Sequence, residues 1–258
     1  MAARQPIERR DGESAFVLHT YAYRETSLIV ETFTADYGRV AMVARGAKRP
    51  RSEARGLLQA FQPLTLSWAG AGELKTLLKA EWGGGLPLPR GAALLCGFYL
   101  NELLLKLLAR EDPHAALFRD YHDALAALCA SPTAAEQGAV LRRFELRLLA
   151  ELGYALPLTH DADTGAAIEP AARYLYHFGR GPRALATNVA REPGTRYPRI
   201  RGATLLGLAA NAMPDAESAA EAKRLMREVL DHYLEERRIF SRRVVQDLQA
   251  IDEESESS

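Results

Sequence analysis

The chain has 258 residues, of which 48% are hydrophobic and 26% are charged, and its 33 Lys and Arg equal its 33 Asp and Glu. This composition predicts a globular protein with enough apolar residues for one large core or several small ones. It excludes a disulfide framework, because there are only two cysteines. We also expect no membrane span, because no run of about 18 apolar residues is free of charge.

The neutral total hides an asymmetry between the two ends of the chain. The first 80 residues carry 12 Lys and Arg against 8 Asp and Glu, whereas the residues from Asp247 onward include five acids and no base. The acidic end has the composition of a disordered tail that can compete with nucleic acid for a basic surface. We therefore expect no regular structure in residues 252–258, and we expect residues 1–13 to form a flexible N-terminus.

Five short segments between residues 14 and 82 are predicted to be β-strands. They are rich in β-branched and aromatic residues, and turn-forming residues separate them. Five strands in about 70 residues, with no helical pattern between the first three, favour a small closed barrel of the OB type. An SH3-like barrel is the structural alternative. The predicted strands are residues 15–19, 28–33, 39–44, 64–68 and 74–78.

The loop after the third strand, residues 46–56, is the most basic segment of the chain. Gly46, Pro50 and Gly56 predict that it holds no regular element, so its charges are free to meet an anion. Contact with phosphates would give nucleic-acid affinity that depends on salt and not on sequence. The alternative is an ordinary solvated loop. The cations of the loop are Lys48, Arg49, Arg51 and Arg55, against the single acid Glu53.

Several side chains of the predicted barrel are candidates to extend this basic surface. We expect Lys75 and Lys79 to add charge to it. Exposed aromatic rings on such a barrel can stack on the bases of a single strand. Phe16 and Phe33, which aliphatic residues flank, are instead assigned to the core. The candidate stacking residues are Tyr21, Tyr23, Tyr37 and Trp68.

A domain boundary is predicted at residues 83–89, where three glycines and two prolines interrupt all periodicity. Residues 90–251 then form one mainly α-helical domain. Residues 154–203 show little periodicity apart from one strand near 174–178, so we expect an irregular insertion there. The predicted fold class is therefore α+β, with a barrel domain over residues 14–82. The predicted helices are residues 91–110, 113–128, 132–152, 204–213, 216–234 and 241–251.

Arginines interrupt the strongly apolar helix around residues 141–149. Arg143 and Arg147 lie one turn apart, and Arg142 precedes them. A partly buried arginine beside apolar surface can bind both oxygens of a carboxylate, such as a peptide C-terminus. The more ordinary interpretation is an internal ion pair with Glu145 or a solvated face.

His160, Asp161, Asp163 and His177 form the only local grouping of metal-ligand residue types. They lack the helix or strand frame that a hydrolytic zinc or magnesium site requires. We expect neither a metal nor any other cofactor. A metal-dependent nuclease or hydrolase that uses these four residues is retained as an alternative function. An RNA-binding OB protein is the second alternative.

The chain resembles the RecO family of recombination mediator proteins over about residues 14–250. Each matching segment is short, but their order and spacing make the set specific. The matches include Ala15-Phe16-Val17-Leu18, Glu25-Thr26-Ser27-Leu28, Gly38-Arg39-Val40, Ala44-Arg45-Gly46-Ala47, Asn101-Glu102-Leu103-Leu104, Arg143-Phe144-Glu145 and Leu152-Gly153-Tyr154.

The resemblance implies a non-enzymatic DNA repair and recombination protein of the bacterial cytoplasm, associated with the nucleoid. Such proteins bind single- and double-stranded DNA, anneal complementary strands and help load RecA onto strands covered by single-strand-binding protein (SSB). They act with RecR and in some settings RecF. The resemblance assigns Arg39, Arg45 and the cations of residues 48–55 to the DNA face, and Arg142 to docking of the SSB tail.

One departure from the family pattern concerns zinc. Many relatives carry a four-cysteine zinc module after the Leu-Gly motif, whereas this chain has His160-Asp161 and Thr164-Gly165 there and no cysteine. We therefore expect a zinc-free insertion, held by packing alone.

Overall fold

The computed structural model describes residues 8–185, 197–234, 239 and 241. The chain divides into two compact units between Ala130 and Ser131. The first unit contains the described residues up to Ala130 together with Ile239 and Ser241, and the second contains the described residues from Ser131 to Leu234. This division lies beyond the predicted boundary at residues 83–89, because the first two long helices belong to the first unit.

The first unit contains a closed five-stranded barrel, which confirms the predicted OB-type fold. The strands are β1 (Glu8–Tyr23), β2 (Ser27–Thr34), β3 (Gly38–Ala44), β4 (Pro63–Gly70) and β5 (Leu74–Trp82). The strand order is β1-β2-β3-β5-β4, and every pair is antiparallel except β3 with β5. Alternate side chains of the strands fill the barrel, among them Val17, Val30 and Met42.

Strand β1 begins much earlier than predicted, so residues 8–13 are strand and not part of a flexible N-terminus. Glu8, Arg9 and Arg10 pair with the far end of β4. Their polar side chains give no alternating apolar pattern, which is why the sequence did not reveal them. A bulge between Val17 and His19 interrupts the pairing of β1 with β2.

A short helix, α1 (Glu53–Leu57), lies within the loop that was predicted to hold no regular element. That prediction is wrong for these residues. Ala54 packs against the barrel core, and Leu58 after the helix is buried in it. Packing of these two side chains against the barrel fixes one helical turn in spite of the neighbouring glycine and proline.

The helices α2 (Ala92–Leu107) and α3 (Ala115–Ala130) complete the first unit. Phe16 and Phe33 are buried as predicted, but on the outer face of the barrel. Their ring centroids lie 5.4 and 5.5 Å from that of Phe118 on α3. Two hydrogen bonds connect β1, α2 and α3. Asn101 Nδ2 of α2 donates to the carbonyl of Leu18 on β1 at 2.9 Å, and the Tyr121 hydroxyl of α3 donates to Asn101 Oδ1.

The connection between α2 and α3 extends the barrel where β3 and β5 pair for only three residues. The backbones of Arg39 and Arg110 form an isolated parallel β-bridge, in which the N–H of Glu111 donates to the Arg39 carbonyl at 2.9 Å. Beneath this bridge lies Glu31, which is only 5% exposed. Its Oε1 accepts from Arg110 Nη2 at 2.5 Å, and its Oε2 lies 3.7 Å from Arg39 Nε.

The second unit combines helices with a small sheet. A capping box of Thr133 and Glu136 begins its first helix. The elements are α4 (Ala134–Glu151), β6 (Arg173–His177), β7 (Gly181–Ala184), β8 (Arg199–Arg201), α5 (Gly202–Ala210) and α6 (Ala216–Leu234). The segment predicted to be irregular contains a three-stranded sheet in the order β7-β6-β8, of which only the central strand was expected. Strands of three to five residues leave little periodicity to detect.

Two remaining predictions fall mostly outside the described residues. The predicted helix 241–251 lies outside the described residues except for Ser241, whose N–H donates to Glu102 Oε2 at 2.7 Å. The predicted acidic tail 252–258 lies wholly outside them. Among the described residues, no helix has both the length and the apolar character needed to cross a bilayer.

We predict that Gly38→Ala lowers the free energy of unfolding by about 3 kcal/mol or more. Gly38 has a φ of +63°, and a Cβ atom there would lie 1.8 Å from the carbonyl oxygen of Asp112. The substitution therefore combines backbone strain with a collision against the α2–α3 connection. Urea denaturation of the full chain measures the loss.

Gly12→Ala is the matched control. Gly12 has a φ of +76°, but a Cβ atom there meets nothing within 4 Å. This variant should lose only about 1–2 kcal/mol, which is the cost of the left-handed conformation. Equal losses in the two variants would contradict the close approach at Gly38.

Candidate nucleic-acid interface

The loop that follows β3 carries a concentration of exposed cations, and we call residues 45–55 the basic loop. Its backbone is anchored, because Ala47 is buried in the barrel core and the N–H of Lys48 donates to the carbonyl of Thr26 at 2.9 Å. The cationic side chains are exposed around this anchor. They are Arg45, Lys48, Arg49, Arg51 and Arg55.

The charges of the basic loop are not neutralised by neighbouring carboxylates. Within the described ranges none of the five cations forms an ion pair, and Lys48 Nζ donates only to the carbonyl of Arg24, at 3.4 Å. Exposed cations without internal partners hold solvent and counterions that an approaching phosphate can displace. The arrangement can therefore attract a polyanion at no cost in broken ion pairs.

Arg24 adds an exposed cation that the sequence analysis did not single out. It lies in the β1–β2 turn with a φ of 51°, and its carbonyl contacts Lys48. Its guanidinium lies 5.1 Å from the centroid of the Tyr23 ring. A single arginine in a turn belongs to no pattern, so only the fold reveals that it adjoins the basic loop.

Arg39 and Lys75, which were predicted to belong to the same surface, are engaged elsewhere. Arg39 donates to the carbonyl of Leu105 and approaches Glu31, as described above. Lys75 is 8% exposed, and its Nζ lies 3.0 Å from Glu111 Oε1. Their charges are already matched inside the first unit, so the exposed set is smaller than the predicted one. Lys79 is exposed but pairs with Glu81 at 2.9 Å.

Two of the predicted stacking residues cannot present a free ring. Trp68 is 3% exposed and belongs to the barrel core, so the expectation that it stacks on a base is wrong. Tyr37 meets the Trp68 ring edge-on at 5.5 Å, and the Arg10 guanidinium covers it at 4.8 Å. Tyr21 and Tyr23 lie on the outer surface of β1.

Arg142 lies on α4 in the second unit, and its surroundings match the more ordinary interpretation of that helix, an internal ion pair with Glu145. Its side chain is 14% exposed and forms an ion pair with the buried carboxylate of Glu145, one turn away. Its Nε atom is buried and has no hydrogen-bond partner in the described structure. By contrast, Arg143 and Arg147 are exposed. Arg142 is therefore held by a buried carboxylate while a small part of its side chain reaches the surface.

The four residues of the possible metal site serve other purposes in the described structure. Asp161 Oδ1 accepts from the N–H groups of Asp163 and Thr164 at 3.0 and 2.8 Å, and Oδ2 accepts from the N–H of Ala184. The Thr164 N–H above all, together with that of Ala184, holds the pKa of this carboxyl below its ordinary value. Asp161 thus fixes a turn, and a metal would have to displace these donors.

The other three candidates have separate partners. Asp163 pairs with Arg183, His160 Nδ1 contacts the Thr159 hydroxyl, and the His177 ring lies 4.1 Å from that of Tyr197. Burial lowers the pKa of His177. Over the described ranges, no group of three His, Cys, Asp or Glu side chains is arranged to hold a metal ion.

Two family models match the chain almost end to end. The model described as "Recombination protein O N terminal" matches residues 12–85, and the model described as "Recombination protein O C terminal" matches residues 89–243. They meet in the segment where the sequence predicts a domain boundary.

Similar proteins described as "DNA repair protein RecO" cover nearly the full length of the chain. That of Aromatoleum aromaticum is 48% identical over 95% of this chain and 98% of its own length. That of Dechloromonas aromatica is 50% identical over 93% and 97%, and that of an Azoarcus species is 50% identical over 96% and 99%.

We predict that Asp161→Asn lowers the melting temperature at pH 7, because the amide replaces one oxygen that accepts backbone N–H groups. The folded-state pKa of Asp161 is lowered, so its contribution to stability is present above the unfolded-state pKa of about 3.9. It is lost as the pH falls through the folded-state value. Thermal denaturation from pH 7 to pH 3 should show the two proteins converging.

Asp163→Asn is the control for this measurement. Asp163 contributes its N–H to the same turn, but its side chain is about half exposed and pairs only with Arg183 in the described structure. The Asp163→Asn variant should therefore show only a small decrease in melting temperature at every pH. A constant difference between Asp161→Asn and the parent protein down to pH 3 would contradict the role given to the carboxylate.

Proposed function

The chain belongs to the RecO family of DNA repair proteins, and on this premise we propose that it is a recombination mediator that acts by binding DNA without turnover. In this proposal it binds single- and double-stranded DNA and anneals complementary strands. With RecR it helps load RecA onto strands covered by SSB. It works in the bacterial cytoplasm at the nucleoid, where its DNA lies, and in some settings it acts with RecF.

The observation that carries this proposal is the set of unpaired cations on the basic loop. Arg45, Lys48, Arg49, Arg51 and Arg55 are exposed and lack carboxylate partners in the described structure. Phosphate contacts of this kind supply affinity and position a strand, but they do not read its sequence. A mediator that must act on any broken DNA needs this property. The engaged side chains of the possible metal site give no comparable support to a hydrolase.

We predict that the triple variant Arg45→Ala, Arg49→Ala, Arg51→Ala weakens binding of an oligothymidylate and slows annealing of complementary oligonucleotides. Each lost contact should reduce the slope of log K against log salt by about 0.7. Fluorescence anisotropy at a series of salt concentrations measures the slope. We expect the slope to fall by about 2 for the triple variant.

The control is a variant with the same change in net charge, Arg9→Ala, Lys79→Ala, Arg119→Ala. Arg9 and Lys79 are exposed but already paired with Asp11 and Glu81, and Arg119 is an exposed residue of α3. The control should keep most of the slope of the parent protein. If both triple variants lose the same slope, net charge and not the basic loop would carry the binding.

We also propose that α4 docks the acidic C-terminal tail of SSB through Arg142. The partial exposure of the Arg142 side chain supports this proposal, because a carboxylate at the surface could bind the exposed part of the guanidinium while Nη2 keeps its contact with Glu145. Arg143 and Arg147 add exposed positive charge on the same helix. The tail would thus meet a guanidinium that an internal partner already orients.

We predict that Arg142→Met lowers the free energy of unfolding by about 3 kcal/mol, because it removes the cation that pairs with the buried Glu145 carboxylate. Adding Glu145→Gln should restore at least half of that stability. The double variant should still bind an SSB tail peptide more weakly than the parent protein, by about 1–3 kcal/mol. Urea denaturation and calorimetric titration measure the two effects separately.

Arg143→Met is the control on the same helix. Because Arg143 is exposed, its change should alter stability by no more than about 0.5 kcal/mol. Unchanged peptide affinity in the folded double variant would mean that the tail docks elsewhere.

A further inference from the structure

The outer face of the barrel carries a row of side chains that runs across three strands beside the basic loop. In the strand register, Tyr21 of β1 pairs with Ile29 of β2, and Ile29 pairs with Val43 of β3. The adjacent row, Thr20, Val30 and Met42, points into the barrel, where Val30 and Met42 belong to the core. Because side chains alternate between the two faces of a sheet, Tyr21, Ile29 and Val43 point outward.

This outward row is not covered by the rest of the first unit. Ile29 and Val43 are half-buried and Tyr21 is 47% exposed. The neighbouring outward positions are covered, because Glu31 lies beneath Arg110 and Phe33 lies beneath α3. The open part of the sheet is therefore a strip at the end that carries the β1–β2 turn. Three strands at about 4.8 Å spacing make the strip about 10 Å wide.

The strip adjoins the exposed cations at both of its ends. Val43 is two residues before Arg45, and Tyr21 is three residues before Arg24. The two cationic segments are joined, because Lys48 donates from its backbone N–H to Thr26 and from Nζ to Arg24. A polyanion that contacts the basic loop is thus brought against an apolar strip that ends in an aromatic ring.

Among the four tyrosine and tryptophan candidates, Tyr21 is the one whose ring is available. Trp68 lies in the core, and Arg10 and Arg24 cover the rings of Tyr37 and Tyr23. The Tyr21 ring meets only His19, at 4.4 Å and an interplanar angle of 66°, within the described structure. This edge-to-face contact orients the ring and leaves it nearly half exposed.

We infer that Tyr21 is the base-stacking residue of a single-strand binding strip formed by Tyr21, Ile29 and Val43. An unpaired base stacks on the Tyr21 ring, and the sugar and neighbouring base lie over Ile29 and Val43. The basic loop and Arg24 hold the flanking phosphates. This inference rests on the proposed DNA-binding function and adds to it a preference for unpaired bases, since a duplex keeps its bases stacked on one another.

The test compares Tyr21→Leu and Tyr21→Phe with the parent protein, using a fluorescent oligothymidylate and an abasic oligonucleotide of the same length. Tyr21→Leu should weaken oligothymidylate binding about 5- to 150-fold, which is the effect of removing one base–aromatic stack. Tyr21→Phe should bind as the parent does. The slope with salt should not change, because no phosphate contact is lost, and abasic binding should be the same in all three proteins.

Tyr23→Leu is the matched control, because Arg24 covers that ring, and it should reduce affinity by less than about 3-fold. Leucine keeps apolar volume at an exposed position, and a thermal melt of each variant verifies folding. Parental oligothymidylate affinity in folded Tyr21→Leu would overturn the inference while leaving the basic-loop proposal intact. An equal loss of abasic binding would also overturn it. Failure of the parent protein to bind oligothymidylate at any salt concentration would instead reject the proposed function itself.

Discussion

The buried carboxylate of Glu31 is the constraint on which the first unit depends. A carboxylate inside a protein is costly unless cations and hydrogen bonds compensate it, and Arg110 and Arg39 supply that compensation here. Arg110 comes from the connection between α2 and α3, so the same contact holds the helices against the barrel. It also closes the gap that remains because β3 and β5 pair over only three residues.

This arrangement divides the cations of the first unit into two groups with different roles. Arg39, Lys75 and Arg110 are engaged with Glu31, Glu111 and Glu73, and so hold elements together. The arginines of the basic loop have no such partners in the described structure and remain available to an external anion. The overall charge of zero is therefore compatible with a strongly basic local surface. What matters for binding is which charges are already matched.

The sequence was sufficient for the barrel, because alternation and turn residues are local signals. It missed the first part of β1, helix α1 and the two outer strands of the small sheet in the second unit, where the pattern is polar or too short. At the candidate site it identified the basic loop but could not separate Arg39 and Lys75 from it. Their partners lie far along the chain, with Leu105 and Glu111 provided by the helical region. Such pairings depend on the fold and leave no periodic trace.

The bulge in β1 changes which face of the sheet the side chains after it point to. Ala15 and Val17 point into the barrel, but beyond the bulge the inward position is Thr20, which pairs with Val30 of the core, so odd-numbered residues change from inside to outside. The extra residue is Leu18, whose carbonyl accepts the hydrogen bond from Asn101. A helix side chain thus holds the strand in its shifted phase. Without the bulge, regular alternation from Val17 would put Tyr21 inside the barrel and the smaller Thr20 on the surface.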